Sequence, residues 1–218
     1  MLSKRLIGLF MFLGPILAII MIVLEQSYGR GGGSSSFAEQ LKAMSDNYAL
    51  ATIGSIGFSI AILVIFIGIH GLARSMQGEN KPGSDLAGLA SIFAILIAGI
   101  YMVGFSLELI ATEKGSDWIT QGGDAINAFT ISEAITRSIF VFDGLVMLFL
   151  GLAILIQKNM SQIIGGLFTV FGICVLFGGI FSSGDNWAGM IWFVGFLGFP
   201  IMTSVTGFLT LWQVRKNT

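Results

Sequence analysis

Six long apolar runs, separated by short polar segments, decide what this chain can fold into. They cover residues 6–24, 50–73, 86–110, 136–156, 163–181 and 188–212. A helix needs about 20 apolar residues to cross a bilayer, and each run approaches or exceeds that length. Only 11% of the residues are charged and the mean hydropathy is +0.89, whereas a soluble domain has about 25% charged residues. We therefore predict an all-α polytopic membrane protein, a six-transmembrane-helix bundle forming a single domain over residues 1–218.

Two longer polar segments, residues 25–49 and 111–134, are predicted to be outer loops. Within the first, Ser36 and Glu39 have the spacing of a capping box, which predicts a helix start. The apolar residues that follow share one helix face: Phe37, Leu41, Met44 and Tyr48. We expect a short extracytoplasmic amphipathic helix at the membrane surface or over the end of the bundle. A packed lid is favoured over a ligand-gating element.

The distribution of basic residues predicts the orientation. With six spans both termini lie on one side of the membrane, and that side holds seven of the eleven basic residues: Lys4, Arg5, Arg74, Lys81, Lys158, Arg215 and Lys216. Because loops rich in Lys and Arg stay inside the cell, we predict a multi-pass plasma-membrane protein with both termini cytoplasmic. The first run is longer than the core of a signal peptide and lacks a good cleavage site, which favours a retained signal anchor.

The fourth run has an unusual polar start. Thr130 and Glu133 have capping-box spacing, which predicts that the helix begins there, and Arg137 follows Glu133 at i+4. Asp143 then lies inside an otherwise apolar stretch, where an acid is costly and raises a functional hypothesis. Tyr101 and Glu108 lie on nearly one face of the third span. The candidate polar pocket is therefore Asp143, Arg137, Glu108, Glu133 and Tyr101.

Two interpretations of this pocket stay open. In the first, which we favour, these side chains form an interhelical set of ion pairs and hydrogen bonds that fixes helix register. In the second, they line an outer-facing cavity for a proton, a cation or a small polar ligand. Arg137 is placed for Glu133 or for Glu108. Asp143 lies about 9 Å further along the helix on a different face, so it needs another partner, water or its own proton.

Two further residues attract attention. His70 lies near the end of the second span, and an interfacial histidine beside a basic loop is favoured over a proton-handling or ligand residue. Pro200 lies inside the last span and lacks the N–H that would bond the Phe196 carbonyl, which predicts a local break. The hydroxyls of Thr203, Ser204 and Thr206 are expected to bond freed carbonyls.

Composition excludes several kinds of site. One cysteine, Cys174, permits no intramolecular disulfide or cysteine-based metal site, and one histidine permits no two-histidine metal motif. A net charge of −1 gives no sign of nucleic-acid binding. Zinc-hydrolase, G-x-S-x-G and phosphate-loop patterns do not occur. We predict no enzyme activity, no catalytic residue, no metal and no cofactor.

The chain resembles uncharacterised six-helix integral membrane proteins of bacteria and archaea, of the domain-of-unknown-function type. The resemblance rests on the basic start at residues 4–9, on 68–73 (Gly-Ile-His-Gly-Leu-Ala) and on the turn into 161–167 (Ser-Gln-Ile-Ile-Gly-Gly-Leu). It implies a fold but no activity. The expected function is therefore a non-catalytic accessory or scaffolding subunit that packs in the lipid bilayer with other membrane subunits or with itself. The alternative is a small transporter or sensor using the polar pocket.

Overall fold

The computed structural model describes residues 2–28, 36–121, 124–181 and 186–216, with only the backbone described for 114–121 and 186. The described residues form seven α-helices and no strand. These are α1 (Lys4–Ser27), α2 (Phe37–Asp46), α3 (Tyr48–Ser75), α4 (Ser84–Gln121), α5 (Asp124–Gln157), α6 (Gln162–Phe181) and α7 (Asn186–Lys216). Six of the described helices, all except α2, are long and apolar enough to cross a membrane. The predicted all-α, six-span fold is confirmed.

The helices extend beyond the apolar runs, and the expected loop over 111–134 is largely helical instead. Helix α4 continues to Gln121 and α5 begins at Asp124. The predicted helix start at Thr130 is wrong, because the Thr130 hydroxyl donates to the Ile126 carbonyl 2.7 Å away, inside α5. Apolar length marks where a helix is embedded in lipid, whereas a helix satisfies its own backbone hydrogen bonds in water as well. The membrane span and the helix therefore need not end together.

The chain divides into two compact units, and four helices contribute to both. Unit 1 consists of Met1–Ile16, Leu63–Ala98 and Ser138–Thr218. Its helices pack through glycines. A Cβ built on Gly144 of α5 would lie 2.7 Å from the carbonyl oxygen of Gly172 on α6, and one on Gly207 of α7 would lie 2.8 Å from that of Gly8 on α1. Backbones this close are typical of helices packed in lipid, where small residues allow near contact.

Unit 2 consists of Leu17–Ile62 and Gly99–Arg137. Helix α2 packs on its apolar cluster, which contains Tyr28, Leu41, Met44, Ala51, Ala111, Ala125 and Phe129. The predicted capping box is present: Glu39 N donates to Ser36 Oγ at 3.3 Å, and Ser36 N donates to Glu39 Oε2 at 2.7 Å. Phe37 meets the Phe129 ring edge-on at 5.9 Å. Tyr48, the last residue of the apolar face predicted for this helix, does not belong to α2: it begins α3 and is exposed.

The break expected at Pro200 is not seen, because α7 continues without interruption from Asn186 to Lys216. The hydroxyls of Thr203 and Thr206 donate to the carbonyls of Phe199 and Met202, at 2.8 and 2.7 Å. Neither acceptor is the Phe196 carbonyl, which lacks its helical hydrogen bond because Pro200 has no N–H. The threonines therefore reinforce the turn after the proline, and the loss of one hydrogen bond does not end the helix.

Candidate functional site

The five predicted pocket residues are divided between the two units. Tyr101, Glu108, Glu133 and Arg137 belong to unit 2, and Asp143 belongs to unit 1.

Glu108 of α4 is buried, with 2% of its surface exposed, and is bonded to α3. The Ser55 hydroxyl donates to Glu108 Oε1 at 2.5 Å, and Ser55 is itself 1% exposed. A buried carboxyl group is costly unless it is hydrogen-bonded, and Ser55 provides such a bond. Ser55 was not predicted to be the partner of Glu108. The available signal was the run of small residues at four-residue spacing on α3, which allows close approach of another helix.

The Tyr101 ring is packed into an aromatic row that joins α3 and α4. It is 1% exposed and stacks on Phe105 with the ring centres 5.9 Å apart. Phe105 in turn meets Phe58 of α3 edge-on at 5.5 Å. Edge-to-face and offset aromatic pairs stabilise by about 0.5–1.5 kcal/mol beyond area burial. The Tyr101 ring therefore contributes to the contact between these two helices.

Arg137 and Glu133 form the predicted i,i+4 pair on α5, with Arg137 Nε 3.8 Å from Glu133 Oε2. The Arg137 side chain is 72% exposed, and its guanidinium lies 6.0 Å from the centre of the Phe37 ring on α2. Glu133 and Glu108 were the two predicted alternatives for pairing with Arg137, and the structure pairs Arg137 with Glu133. An exposed pair of this kind contributes about 0.2–1 kcal/mol. Arg137 therefore lies at the surface of unit 2.

A second polar contact in unit 2 joins α4 and α5 and was not predicted. The hydroxyl of the buried Ser132 donates to the Gly104 carbonyl at 2.8 Å. A Cβ on Gly104 would lie 3.2 Å from Thr136 Oγ1, so the absence of a side chain at this position lets α5 approach. Such a contact cannot be found from spacing along one helix.

Asp143 of α5 is buried within unit 1, with 5% of its surface exposed. The adjacent Gly144 contacts the backbone of α6 at Gly172. This burial agrees with the physical expectation that an intramembrane acid faces protein rather than lipid.

A cavity of about 490 Å³ lies elsewhere in unit 1. Among the described residues its lining consists of Leu2, His70, Gly71, Arg74 and Ser75, and it includes none of the five predicted residues. Nδ1 of His70 lies 2.8 Å from Oγ and 3.2 Å from the carbonyl oxygen of Ser91. The histidine therefore bonds to α4 and also borders a cavity beside a basic loop. The sequence located His70 near the end of a span but gave no sign of the cavity.

Within the described residues, no group of three or more His, Cys, Asp or Glu side chains is placed to hold a metal ion. Comparison with known proteins adds no relative: no protein-family model, no curated protein and no solved structure matches this chain.

Proposed function

We propose that this multi-pass protein is a non-catalytic accessory or scaffolding subunit that packs against other membrane proteins. The observation that carries the proposal is the role of the polar side chains in unit 2. Glu108 accepts a hydrogen bond from Ser55, Arg137 lies against Glu133, and the Tyr101 ring stacks on Phe105. The Ser55–Glu108 bond joins α3 to α4, and Phe105 carries the Tyr101 stack on to Phe58 of α3, whereas the pair of Arg137 and Glu133 lies within α5; these contacts support a structural role for the three residues.

An open face on α4 supports a packing role. Gly99 is exposed, and a Cβ built there meets no atom within 4 Å. Ile92, Leu96 and Val103 on the same helix are all more than half exposed. A glycine among large apolar side chains forms a notch into which the helix of another membrane subunit can pack.

The test is a pair of matched substitutions. Gly99→Leu fills open space, so the protein should fold, but it removes the notch and should reduce recovery of the partner subunit after mild solubilisation. Gly166→Leu adds the same side chain at another open position, on α6, and should leave recovery unchanged. Two differently tagged copies of this chain distinguish self-association from a second subunit. A monomeric wild-type protein in several mild detergents would refute the proposal.

We also propose that both termini are cytoplasmic and that the membrane is the plasma membrane. The support is the basic end of unit 1, where the helix ends meet. Gln157 of α5 donates to the carbonyl of Met76 just after α3, and Gly71 of α3 adjoins Ile7 of α1. This end contains Lys4, Arg5, Arg74, Lys81, Lys158, Arg215 and Lys216. Reporter fusions at the C-terminus and at residue 115 should report opposite compartments, and the same compartment for both would contradict the topology.

The alternative is a small transporter or sensor, and the burial of Asp143 in a membrane-spanning helix is the observation that favours it. A buried carboxyl group can carry a proton across a low-dielectric region. Asp143→Asn preserves shape and should abolish a proton- or cation-dependent flux in proteoliposomes if this alternative holds. Unchanged flux would remove it.

A further inference from the structure

The cavity at the basic end of unit 1 has the chemistry of an anion site beside an apolar wall. Its lining contains a guanidinium (Arg74) and an imidazole (His70), together with the apolar Leu2, the bare backbone of Gly71 and Ser75, whose hydroxyl donates to the Leu72 carbonyl at 2.6 Å. We propose that this cavity binds the phosphate group of an anionic phospholipid. The proposal does not depend on the accessory role or on the identity of any partner subunit.

The first argument is uncompensated charge. Arg74 Nη1 donates to Gln77 Oε1 at 3.1 Å, and Lys81 Nζ donates to the Ser75 carbonyl at 3.2 Å. Both acceptors are neutral, so neither contact cancels the positive charge. Arg74 lies in the last turn of α3, and Lys81 reaches the last carbonyl group of that helix from the following loop. Both side chains are exposed, so their charges are open to an anion in the cavity.

The second argument is the supply of hydrogen-bond donors. A guanidinium has five N–H donors, so the contact with Gln77 leaves others to meet phosphate oxygens in the geometry that arginine prefers. In the tautomer whose Nδ1 accepts from the Ser91 hydroxyl at 2.8 Å, Nε2 of His70 carries the proton and is the ring donor for a ligand. The cavity therefore combines a positioned cation with a positioned imidazole.

The third argument concerns the apolar side of the cavity. A Cβ on Gly71 would lie 2.8 Å from an Ile7 side-chain atom and 3.1 Å from a Leu2 atom, so the bare backbone of α3 lets the start of α1 approach. Leu2 remains 37% exposed. A wall of this kind suits the glycerol and first methylenes of a lipid, whereas a small inorganic anion would gain nothing from it.

The surrounding charges favour the same ligand. The basic end of unit 1 contains seven Lys and Arg residues, against two acids, Glu79 and Asp85, in the loop and first turn between α3 and α4. Basic pockets between membrane helices attract anionic head groups. The cavity is lined by Arg74 at this basic end, so an anionic head group would meet a guanidinium there.

The experiment uses the purified full-length protein in a neutral detergent. Native mass spectrometry measures retention of phosphatidylglycerol, of phosphatidylcholine with the same acyl chains, and of inorganic phosphate as a competitor. Arg74→Gln should lower phosphatidylglycerol affinity by about tenfold, the loss expected for a charge-assisted hydrogen bond, and Arg74→Lys should recover part of it. Lys158→Gln removes the same charge from the same end but lies outside the cavity lining, so it should have a clearly smaller effect.

Each outcome decides the proposal. Preferential retention of phosphatidylglycerol that is lost in Arg74→Gln supports the lipid site. Displacement by millimolar phosphate would show that the anion alone is the ligand and would overturn the lipid assignment. Equal retention of both lipids, or equal effects of Arg74→Gln and Lys158→Gln, would overturn the site altogether. If Arg74→Gln does not fold, His70→Gln, at another residue of the cavity lining, replaces it, with the same direction of change expected.

Discussion

The hydrogen bond between Ser55 and Glu108 allows the structural account of the polar residues to be tested directly. Ser55→Ala removes the hydroxyl that donates to Glu108, whose side chain is buried at 2% exposure. Hydrogen bonds between membrane helices contribute about 0.6 kcal/mol on average and up to about 1.7. Removing one partner from a buried polar group costs about 1–3 kcal/mol. Because this bond is buried at both ends, we expect Ser55→Ala to lower the free energy of unfolding by about 1–2 kcal/mol.

The assay is reversible unfolding in mixed micelles, followed by circular dichroism. Ser106→Ala is the matched control, because Ser106 is exposed and its hydroxyl donates to Met102 within α4 at 2.7 Å. It should change stability by less than about 0.5 kcal/mol, as surface substitutions do. Glu108→Gln and the double variant complete a cycle that isolates the coupling energy. A coupling near zero, or equal effects of the two serine substitutions, would refute the view that this pair joins α3 to α4.

Two further predictions concern packing and pH. Gly144→Ala places a Cβ 2.7 Å from the Gly172 carbonyl oxygen and 2.8 Å from a Leu176 side-chain atom, so it should destabilise unit 1 by about 1–3 kcal/mol in the same unfolding assay. Gly166→Ala on α6, where nothing lies within 4 Å, should be neutral or stabilising, and equal losses for both would contradict the packing. For α2, the backbone and then the hydroxyl hydrogen bonds from Ser36 lower the pKa of Glu39 below its ordinary value of 4.5. Because the folded pKa is the lower one, the stabilisation is complete above pH 4.5 and is lost as pH falls through the lowered value. The hydrogen-exchange protection factors of residues 37–46, which are corrected for the intrinsic pH dependence of amide exchange, should fall over that range in the wild-type protein, and Glu39→Gln should remove this fall.

Local patterns predicted the parts of the fold that depend on one helix at a time. Apolar length identified the six membrane-spanning helices, because lipid requires long continuous apolar segments. The spacing of Ser36 and Glu39 identified the start of α2, since a capping box is formed within four residues. The same pattern failed at Thr130, where the helix had already begun at Asp124. A capping box cannot be told from an ordinary helical Thr-x-x-Glu by spacing alone.

Patterns within one helix could not predict the contacts between segments that are distant in the sequence. Ser55 and Glu108 are 53 residues apart, and their contact depends on how α3 and α4 are rotated about their axes. The same is true of Ser132 and the Gly104 carbonyl. The cavity beside His70 forms because the start of α1 approaches the end of α3 at Gly71. A single sequence contains small residues at these positions but does not state which helix they approach.

The polar residues of unit 2 and the cations at the basic end of unit 1 have different surroundings, and this difference indicates where a ligand should be sought. In unit 2 the buried acid Glu108 has a hydroxyl donor, and the pair of Glu133 and Arg137 lies against α2. Their position is explained by packing without any ligand. In unit 1 Arg74 and Lys81 bond to neutral oxygens beside a cavity, so their charge is not balanced by those contacts. Under the proposed lipid site, an anion from outside the chain stabilises the basic end of unit 1 more than it stabilises the polar contacts of unit 2. Composition made the intramembrane acids the first candidates for a ligand site. We expect a ligand instead at the basic end of unit 1, where the cations lie beside a cavity.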